Sequence, residues 1–275
     1  MSSDESGLSL FERTGDQFVP TALTTGPWRA DAMHGGAASA LVGAVVAAAT
    51  EAGEHVAGLQ IDLERPVAIE PLSVAVSRRR QSRRIAHLNI EIHACVGRVI
   101  AAKVLLLRGE YVPTVPVPVL VPVPVPVAPS HDGLAAMTWA DYAGAEGPLF
   151  HRDAIEHRIA EGGYGRPGPA TAWLRMRGTV VAGLVPSGLE QLLAVADFGS
   201  ALSQSLAPGS GVGLINVDVN VSLFRAPIGP WFCLQATGDV SEEGIGLAVT
   251  RLRDVTGPLG VVTQSQIAHA YPRAE

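Results

Sequence analysis

The sequence predicts an α+β fold built from two similar halves, each with one helix and an antiparallel sheet. Apolar residues at helical spacing occur twice, once near the front of the chain and once in its second half. Runs of alternating apolar and polar residues follow each of these segments, as expected of half-buried strands. Landmarks also return at a constant distance, since Arg65 and Gly97 recur 160 residues later as Arg225 and Gly257. Two degenerate copies of one helix-plus-sheet unit explain these observations together.

Composition indicates a globular chain with a large core. Of 275 residues, 47% are hydrophobic and 17% are charged, which is not typical of disorder. The net charge of −6 provides no basic surface for nucleic acid. Cys95 and Cys233 lack a metal or redox spacing, so we expect two reduced core residues of a cytosolic protein. The first residues are acidic and polar, unlike a secretion signal, and a cytoplasmic location is expected.

The first predicted helix lies in the uncharged run of residues 32–50. This run is rich in alanine and glycine and is interrupted by His34, Ser39 and Thr50, so we do not expect a membrane span or a membrane partner. Its small side chains predict instead that another element packs very closely against the helix. His34 stands at the start of this helix, where a capping role and a role as catalytic base are both open.

Strands follow the first helix. The alternating or β-branched segments are residues 60–66, 72–77, 85–96 and 99–108. Between the second and third of these, the arginine-rich residues 78–84 predict the tip of a hairpin. Such a charged tip is expected to be solvated, the alternative being a grip on phosphate groups.

A proline-rich segment marks the boundary between the halves. Seven of the seventeen residues at 113–129 are proline, which predicts an extended linker or a strap on the protein's own surface. A ligand for a proline-binding domain is the alternative. We therefore expect an N-terminal repeat at residues 1–110, a linker at 111–130 and a C-terminal repeat at 131–275.

The second predicted helix, residues 188–206, carries an unusual acid. The segment is apolar around most of its circumference, and Asp197 is its only charged residue after Glu190. Because a buried carboxylate without donors or solvent costs several kcal/mol, we expect Asp197 to face a polar pocket.

The two copies differ at polar positions. Carried back by 160 residues, Asn216 falls on Val56 and Gln266 on Leu106, and Asp197 falls on Ala37, or on Ala44 when the helices are aligned on their glycines. One functional site and one inactive counterpart would produce this pattern, and so would ordinary drift between degenerate repeats.

Five stretches in this order resemble a known family: GPWRADAMHGG at residues 26–36, ERP at 64–66, AIEHR with AWLR at 154–158 and 172–175, ADF around Asp197, and VVTQSQ ending at Gln266. Together they resemble the thioesterase-like superfamily with a double hotdog fold, similar to bacterial acyl-CoA thioesterase II. The resemblance covers nearly the whole chain. It implies two helix-wrapped antiparallel sheets in one chain and an acyl-CoA substrate. No two-His or Cys/His spacing suggests a metal, and no cofactor is expected.

The resemblance also implies a site. In that family an Asp on the second hotdog helix, a Thr, Ser or Asn on the next strand and a Gln on the last strand hold the hydrolytic water. These positions match Asp197, Asn216 and Gln266, although a shift of two residues would replace Asn216 by Asp218. Asp197 would be the general base, more basic than usual if its helix excludes water, and both amides could donate to the water and accept from it.

The first repeat is expected to stabilise the oxyanion. His34, Gly35 and Gly36 open its helix, where glycines let a substrate approach N–H groups at the positive end of the dipole. Related hotdog thioesterases use an HGG segment in this way. The arginines at residues 78–84 could in turn bind the phosphates of coenzyme A.

Three functions remain open at this level. The first is hydrolysis of a medium- to long-chain acyl-CoA by activated water, without a covalent intermediate, because no GxSxG nucleophile motif is present. The second is hydration of an enoyl thioester, which needs an acid and a histidine together, and no such pair stands out in the second helix. The third is non-catalytic binding of acyl-CoA. Each is compatible with a homodimer or a higher homo-oligomer.

Overall fold

The structure is a computed structural model that describes residues 7–110, 112, 130–137, 147–206 and 210–270. The proline-rich segment at residues 113–129 and nearly all of the expected linker at 111–130 therefore lie outside the described residues.

The described chain contains fourteen strands and three α-helices. In the first half these are β1 (Ser9–Thr14), β2 (Gln17–Pro20), α1 (Gly35–Ala49), β3 (His55–Leu63), β4 (Leu72–Arg80), β5 (Ile85–Ala94) and β6 (Gly97–Leu107). In the second half they are β7 (Ile155–Glu161), β8 (Ala170–Met176), β9 (Thr179–Val181), α2 (Gly188–Ala196), α3 (Gly199–Leu202), β10 (Val212–Asn216), β11 (Asp218–Leu223), β12 (Trp231–Val240), β13 (Ile245–Asp254) and β14 (Gly257–Ala270).

The strands form one sheet in the order β7-β8-β12-β13-β14-β11-β3-β6-β5-β4-β2-β1-β9, with β10 also paired to β14. The two halves join where β3 and β11 pair antiparallel, from Asp62 opposite Asp218 to Gly58 opposite Ser222. At the far edge β9 pairs parallel to β1, so the second half also adds a strand to the first. The sheets of the two halves are thus joined edge to edge.

The strands keep the spacing seen in the sequence. β5 and β6 begin at Ile85 and Gly97, and β13 and β14 begin 160 residues later, at Ile245 and Gly257. Both pairs are antiparallel hairpins whose tight turns end at a glycine with positive φ, as expected where a left-handed conformation is needed.

The two long helices pack antiparallel at close range, which explains the small residues of α1. A β-carbon at Gly36 would lie 2.6 Å from the Ala194 carbonyl oxygen, and one at Gly43 would lie 3.0 Å from Glu190 Cα. Only glycine allows this approach. Helix α1 begins at Gly35, later than the start of the apolar run, because the His34 side chain caps it by accepting from the Gly36 N–H.

The single helix predicted for residues 188–206 is wrong, because α2 ends at Ala196 and α3 follows after Asp197 and Phe198. The Gln264 side chain causes the break: its Oε1 accepts from the Ser200 N–H at 3.2 Å, and its Nε2 donates to the Asp197 carbonyl at 3.0 Å. A side chain inserted into the helical hydrogen-bond ladder interrupts it. Asp197 therefore caps the end of α2 instead of lying within a helix.

The two cysteines differ in their exposure to solvent. Cys233 is buried as predicted, but Cys95 is exposed in the turn between β5 and β6, where its N–H and thiol both donate to Glu70. A turn between two strands cannot bury its side chains in the core. In the described part of the chain, no helix has both the length and the apolar character needed to cross a bilayer.

Candidate active site

Asp197 lies where α2 ends, against the beginning of α1, and only 7% of its surface is exposed. Its carboxylate is surrounded by donors. Oδ1 accepts from Asn216 Nδ2 at 2.7 Å and from Gln264 Nε2 at 3.2 Å. Asn216 and Gln264 come from β10 and β14, so two neighbouring strands hold the carboxylate from one side.

Ser200 completes this network. Its hydroxyl accepts from Asn216 Nδ2 at 2.9 Å and donates to the Asp197 carbonyl at 3.2 Å. Both amide hydrogens of Asn216 thus point at acceptors, which fixes the orientation of the amide. Its Oδ1 is buried and has no donor among the described residues. Such an acceptor is where an ordered water or a substrate hydrogen would bind.

The glutamine whose side chain contacts Asp197 is Gln264. Gln264 and Gln266 are both buried in β14 on the same face of the strand, but no hydrogen bond joins the Gln266 side chain to Asp197 among the described residues. Gln266 lies opposite Asn216 where β10 pairs with β14, and its role in holding the water stays a prediction. The alternative Asp218 accepts from the Ser265 N–H at 2.7 Å and from its hydroxyl, away from Asp197, so Asn216 is the strand residue that contacts the acid.

The first half supplies the other side of the site. His34 Nδ1 lies 3.3 Å from Asp197 Oδ2 and accepts from the Gly36 N–H at 2.9 Å. A β-carbon at Gly35 would lie 2.7 Å from Asp197 Oδ2, so glycine is required there. Because the Gly36 N–H is engaged, the expectation that it is an open oxyanion donor is not met. The Gly35 N–H has no acceptor among the described residues and remains open.

The electrostatics of Asp197 differ from the sequence expectation. Burial opposes ionisation, but the hydrogen bonds from His34, Asn216 and the Gly36 N–H outweigh it and hold the pKa of the carboxyl below its usual value. The prediction of an unusually basic Asp197 is therefore wrong. The N-terminus of α1, which carries the positive end of the helix dipole, favours the same charged form.

Aromatic rings enclose His34. Its ring stacks on Phe198 at a centroid distance of 4.9 Å and meets Phe150 at 5.0 Å. Two further histidines lie nearby, His151 with its ring 6.2 Å from His34 and His157 with its ring 5.2 Å from Phe198. Burial lowers the pKa of His151 to about 4 and that of His157 to about 3, so both are neutral near pH 7.

The sequence reasoning did not identify His151, His157, Ser200 or Gln264. His157 lies in the AIEHR stretch, which was a usable signal, and Gln264 lies in VVTQSQ. The contact between His34 and Asp197 joins residues from the two halves and had no local signal.

A surface depression lies beyond this aromatic group. It encloses about 410 Å³ and is lined by Met137, residues 159–164 and Arg166. Tyr164, in its wall, contacts His157 through its hydroxyl at 3.0 Å from Nδ1. His157 in turn contacts the ring of Phe198, which follows Asp197 in the chain.

The arginine-rich hairpin lies at the opposite end of α1. Arg78 pairs with Glu54 at 2.5 Å and Arg80 with Glu51 at 2.8 Å, just after the helix C-terminus. A fifteen-residue helix spans about 22 Å, so these arginines stand far from Asp197 and compensate acidic neighbours.

Comparisons with known proteins agree over most of the chain. A family model described as the N-terminal domain of acyl-CoA thioesterase matches residues 24–107, and one described as the C-terminal domain matches residues 125–268. No curated protein sequence matches the chain.

Solved structures share the fold. An acyl-CoA thioesterase II, TesB2, from Mycobacterium marinum is 15% identical, with a TM-score of 0.61 and coverage of 100% of this chain and 99% of that one. A candidate thioesterase from Novosphingobium aromaticivorans is 21% identical, with a TM-score of 0.69 and coverage of 94% and 98%. A protein with a hot dog fold from Alicyclobacillus acidocaldarius is 15% identical, with a TM-score of 0.66 and full coverage of both chains. The chain therefore has a hotdog fold.

Proposed function

The chain belongs to the acyl-CoA thioesterase family, and on this premise we propose that it hydrolyses acyl-CoA thioesters to free acid and CoA. One observation carries the proposal: a buried, ionised Asp197 is held by donors from both halves beside the open N–H at the start of α1. A thioester carbonyl is already electrophilic, so its hydrolysis requires a base for water and donors for the oxyanion.

The residues divide this work between them. Water donates one hydrogen to Asp197 and the other to the buried Asn216 Oδ1, and its oxygen attacks the thioester carbonyl carbon. The Gly35 N–H stabilises the oxyanion at the positive end of α1. The C–S bond then breaks, the CoA sulfur leaves with the electron pair, and the proton taken from water stays on the enzyme until it returns to the thiolate or to solvent.

Gln264 and Ser200 are positioning residues in this scheme. Their hydrogen bonds hold Asp197 at the end of α2 and orient its Oδ1. Since every step uses water as the nucleophile, we expect no covalent acyl-enzyme.

The arrangement of strands and helices supports two hotdog repeats in one chain, one at residues 1–110 and one at residues 131–275, with a linker at 111–130 between them. The support is the repeated 160-residue spacing of the strands and the packing of one long helix from each half against the other. The aromatic wall of Phe150 and Phe198 beside the site suits an apolar acyl group and supports a medium- to long-chain substrate.

Hydration of an enoyl thioester is the second candidate, and the contact between His34 and Asp197 favours it. That reaction uses an acid and a histidine together, and the pair is formed across the two halves instead of within the second helix. The same two residues would then move protons at the α and β carbons of the substrate.

The two functions are separated by one pair of assays. Thiol release is followed for saturated acyl-CoAs of increasing length, and loss of the conjugated absorbance is followed for an enoyl-CoA of matched length. We expect thiol release, reduced about 100-fold or more in Asp197→Asn because a general base is lost. The matched control is Asp218→Asn, whose carboxylate accepts from Ser265 away from the site. Absence of thiol release with every substrate would favour non-catalytic acyl-CoA binding, and loss of conjugation alone would favour the hydratase.

A further inference from the structure

One nitrogen of His34 faces two neighbours with opposite requirements. Nδ1 lies 2.9 Å from the Gly36 nitrogen, which donates to it, and 3.3 Å from Asp197 Oδ2, which can only accept from it. A ring nitrogen carries either one hydrogen or one lone pair in the ring plane. His34 therefore satisfies Gly36 when Nδ1 is bare and Asp197 when Nδ1 is protonated.

The ring cannot escape this choice by turning away. It is stacked on Phe198 and packed against Phe150, and only 12% of its side chain is exposed. The groups that face it are Asp197 from the end of α2, His151 from the turn before β7, and Phe198, behind which lies His157. Asp197 is the charged group in contact with Nδ1, so movement of one proton between these two residues is the simplest change available to the site.

Resting on the hydrolytic function above, we propose that His34 takes over the proton that Asp197 removes from water. In the form that receives this proton, Nδ1 is bare and accepts from the Gly36 N–H. As the water oxygen bonds to the carbonyl carbon, its proton passes to Asp197 Oδ2 and then to His34 Nδ1, which restores the carboxylate. Protonated Nδ1 no longer accepts from Gly36, whose N–H then donates to the Asp197 carboxylate alone.

The step balances in protons and electrons. The electron pair of the broken C–S bond leaves on sulfur, and the proton stored on His34 returns through Asp197 to the thiolate or to solvent. His34 acts through Asp197 and is therefore a positioning residue, distinct from the base itself. A carboxylate held in its charged form by many donors is a weak proton acceptor, which is why a second acceptor is useful here.

The test is the pH profile of His34→Asn. Asparagine is a good helix cap, so its carbonyl can still accept the Gly36 N–H, but it cannot take a proton. We expect kcat to fall about 10- to 100-fold with KM within about threefold, and the acid limb of kcat to move to a different pH, because Asp197 then titrates without its His34 neighbour. A purely structural role would lower kcat without moving the limb, and that result would overturn the proposal. His55→Asn, an exposed histidine at the start of β3, is the matched control.

A second measurement needs neither turnover nor the His34 variant. Nitrogen chemical shifts of His34 in the full chain report whether Nδ1 carries a proton, and they are followed over pH in wild type and in Asp197→Asn. We expect the proton occupancy of Nδ1 to differ between wild type and Asp197→Asn, because the variant has no carboxylate with which to share the proton. A titration that is unchanged by Asp197→Asn would overturn the shared proton even if thiol release is normal. A shared proton in a protein that releases no thiol would overturn the hydrolytic function and support the coupling.

Discussion

Two glutamines in β14 allow one substitution to be compared at two nearly identical positions. Gln264 and Gln266 are two residues apart, both buried, and on the same face of the strand. We expect Gln264→Leu to impair both folding and turnover, and Gln266→Leu to be nearly silent. Leucine is close in size to glutamine, so the comparison removes hydrogen bonds and leaves packing largely intact.

The size of the effect follows from the hydrogen bonds lost. Gln264→Leu leaves the Ser200 N–H without its acceptor in a buried place, which costs about 1–3 kcal/mol, and removes the donor to the Asp197 carbonyl, for about 2–4 kcal/mol in total. The same change removes one donor to Asp197 Oδ1. A hydrogen bond to a charged group contributes about 1.5–3 kcal/mol, which corresponds to roughly 10- to 100-fold in kcat if it acts in the transition state.

Gln266→Leu removes no hydrogen bond to Asp197, so its effect should stay within about 1 kcal/mol and threefold in kcat. Urea unfolding gives the stability of each variant, and thiol release from an acyl-CoA gives kcat and KM. The reasoning would be refuted if Gln266→Leu lost turnover while Gln264→Leu retained it. Equal, mild effects in both would mean that β14 contributes packing alone.

Three further expectations rest on the same site. The free energy of unfolding should fall by about 2–4 kcal/mol between pH 7 and pH 5. The pKa values of His151 and His157 in the folded protein lie below the unfolded value, so only the unfolded chain takes up protons in this pH range. Urea unfolding at pH 7 and at pH 5 measures the change. Gly35→Ala should lower kcat in the thiol-release assay despite the helix propensity of alanine, because its β-carbon would lie 2.7 Å from Asp197 Oδ2, whereas Gly109→Ala has open space and should not. Asp197→Asn should be less stable than wild type at pH 7 by about 1–2 kcal/mol, because a carboxyl whose pKa is lowered in the folded state stabilises the fold above its unfolded pKa. Thermal unfolding should show this difference in stability shrinking as the pH falls through the folded pKa.

Much of the architecture could be predicted because it depends on local patterns. Strand alternation gave the hairpin of Ile85 and Gly97 and its copy 160 residues later. The density of small residues in α1 predicted a close neighbour, which proved to be α2. Asp197 was identifiable because a lone acid in an apolar segment needs a physical reason.

What escaped prediction depends on contacts between distant residues. Periodicity cannot distinguish Gln264 from Gln266, because both point to the same side of a strand. The two glutamines differ because the Gln264 side chain accepts from the Ser200 N–H. This contact interrupts the helical hydrogen bonds, and α2 ends at Ala196. The sign of the pKa shift of Asp197 was equally hidden, since it depends on how many donors converge on the carboxylate and not on burial alone.

The difference between the two halves lies in what meets each helix N-terminus. At α2 a capping box uses the first amides, since the Ser187 hydroxyl accepts from the Glu190 N–H and the Glu190 carboxylate accepts from the Ser187 N–H. A β-carbon at Gly188 would lie 2.2 Å from the Pro227 carbonyl oxygen, so backbone closes that end of the helix pair. At α1 the corresponding space holds the Asp197 carboxylate, and the Gly35 N–H stays open beside it. Of the two longest helices, α2 therefore has an N-terminus that is closed by its own cap, and α1 has one that can act on a substrate. The site at α1 needs residues from both halves.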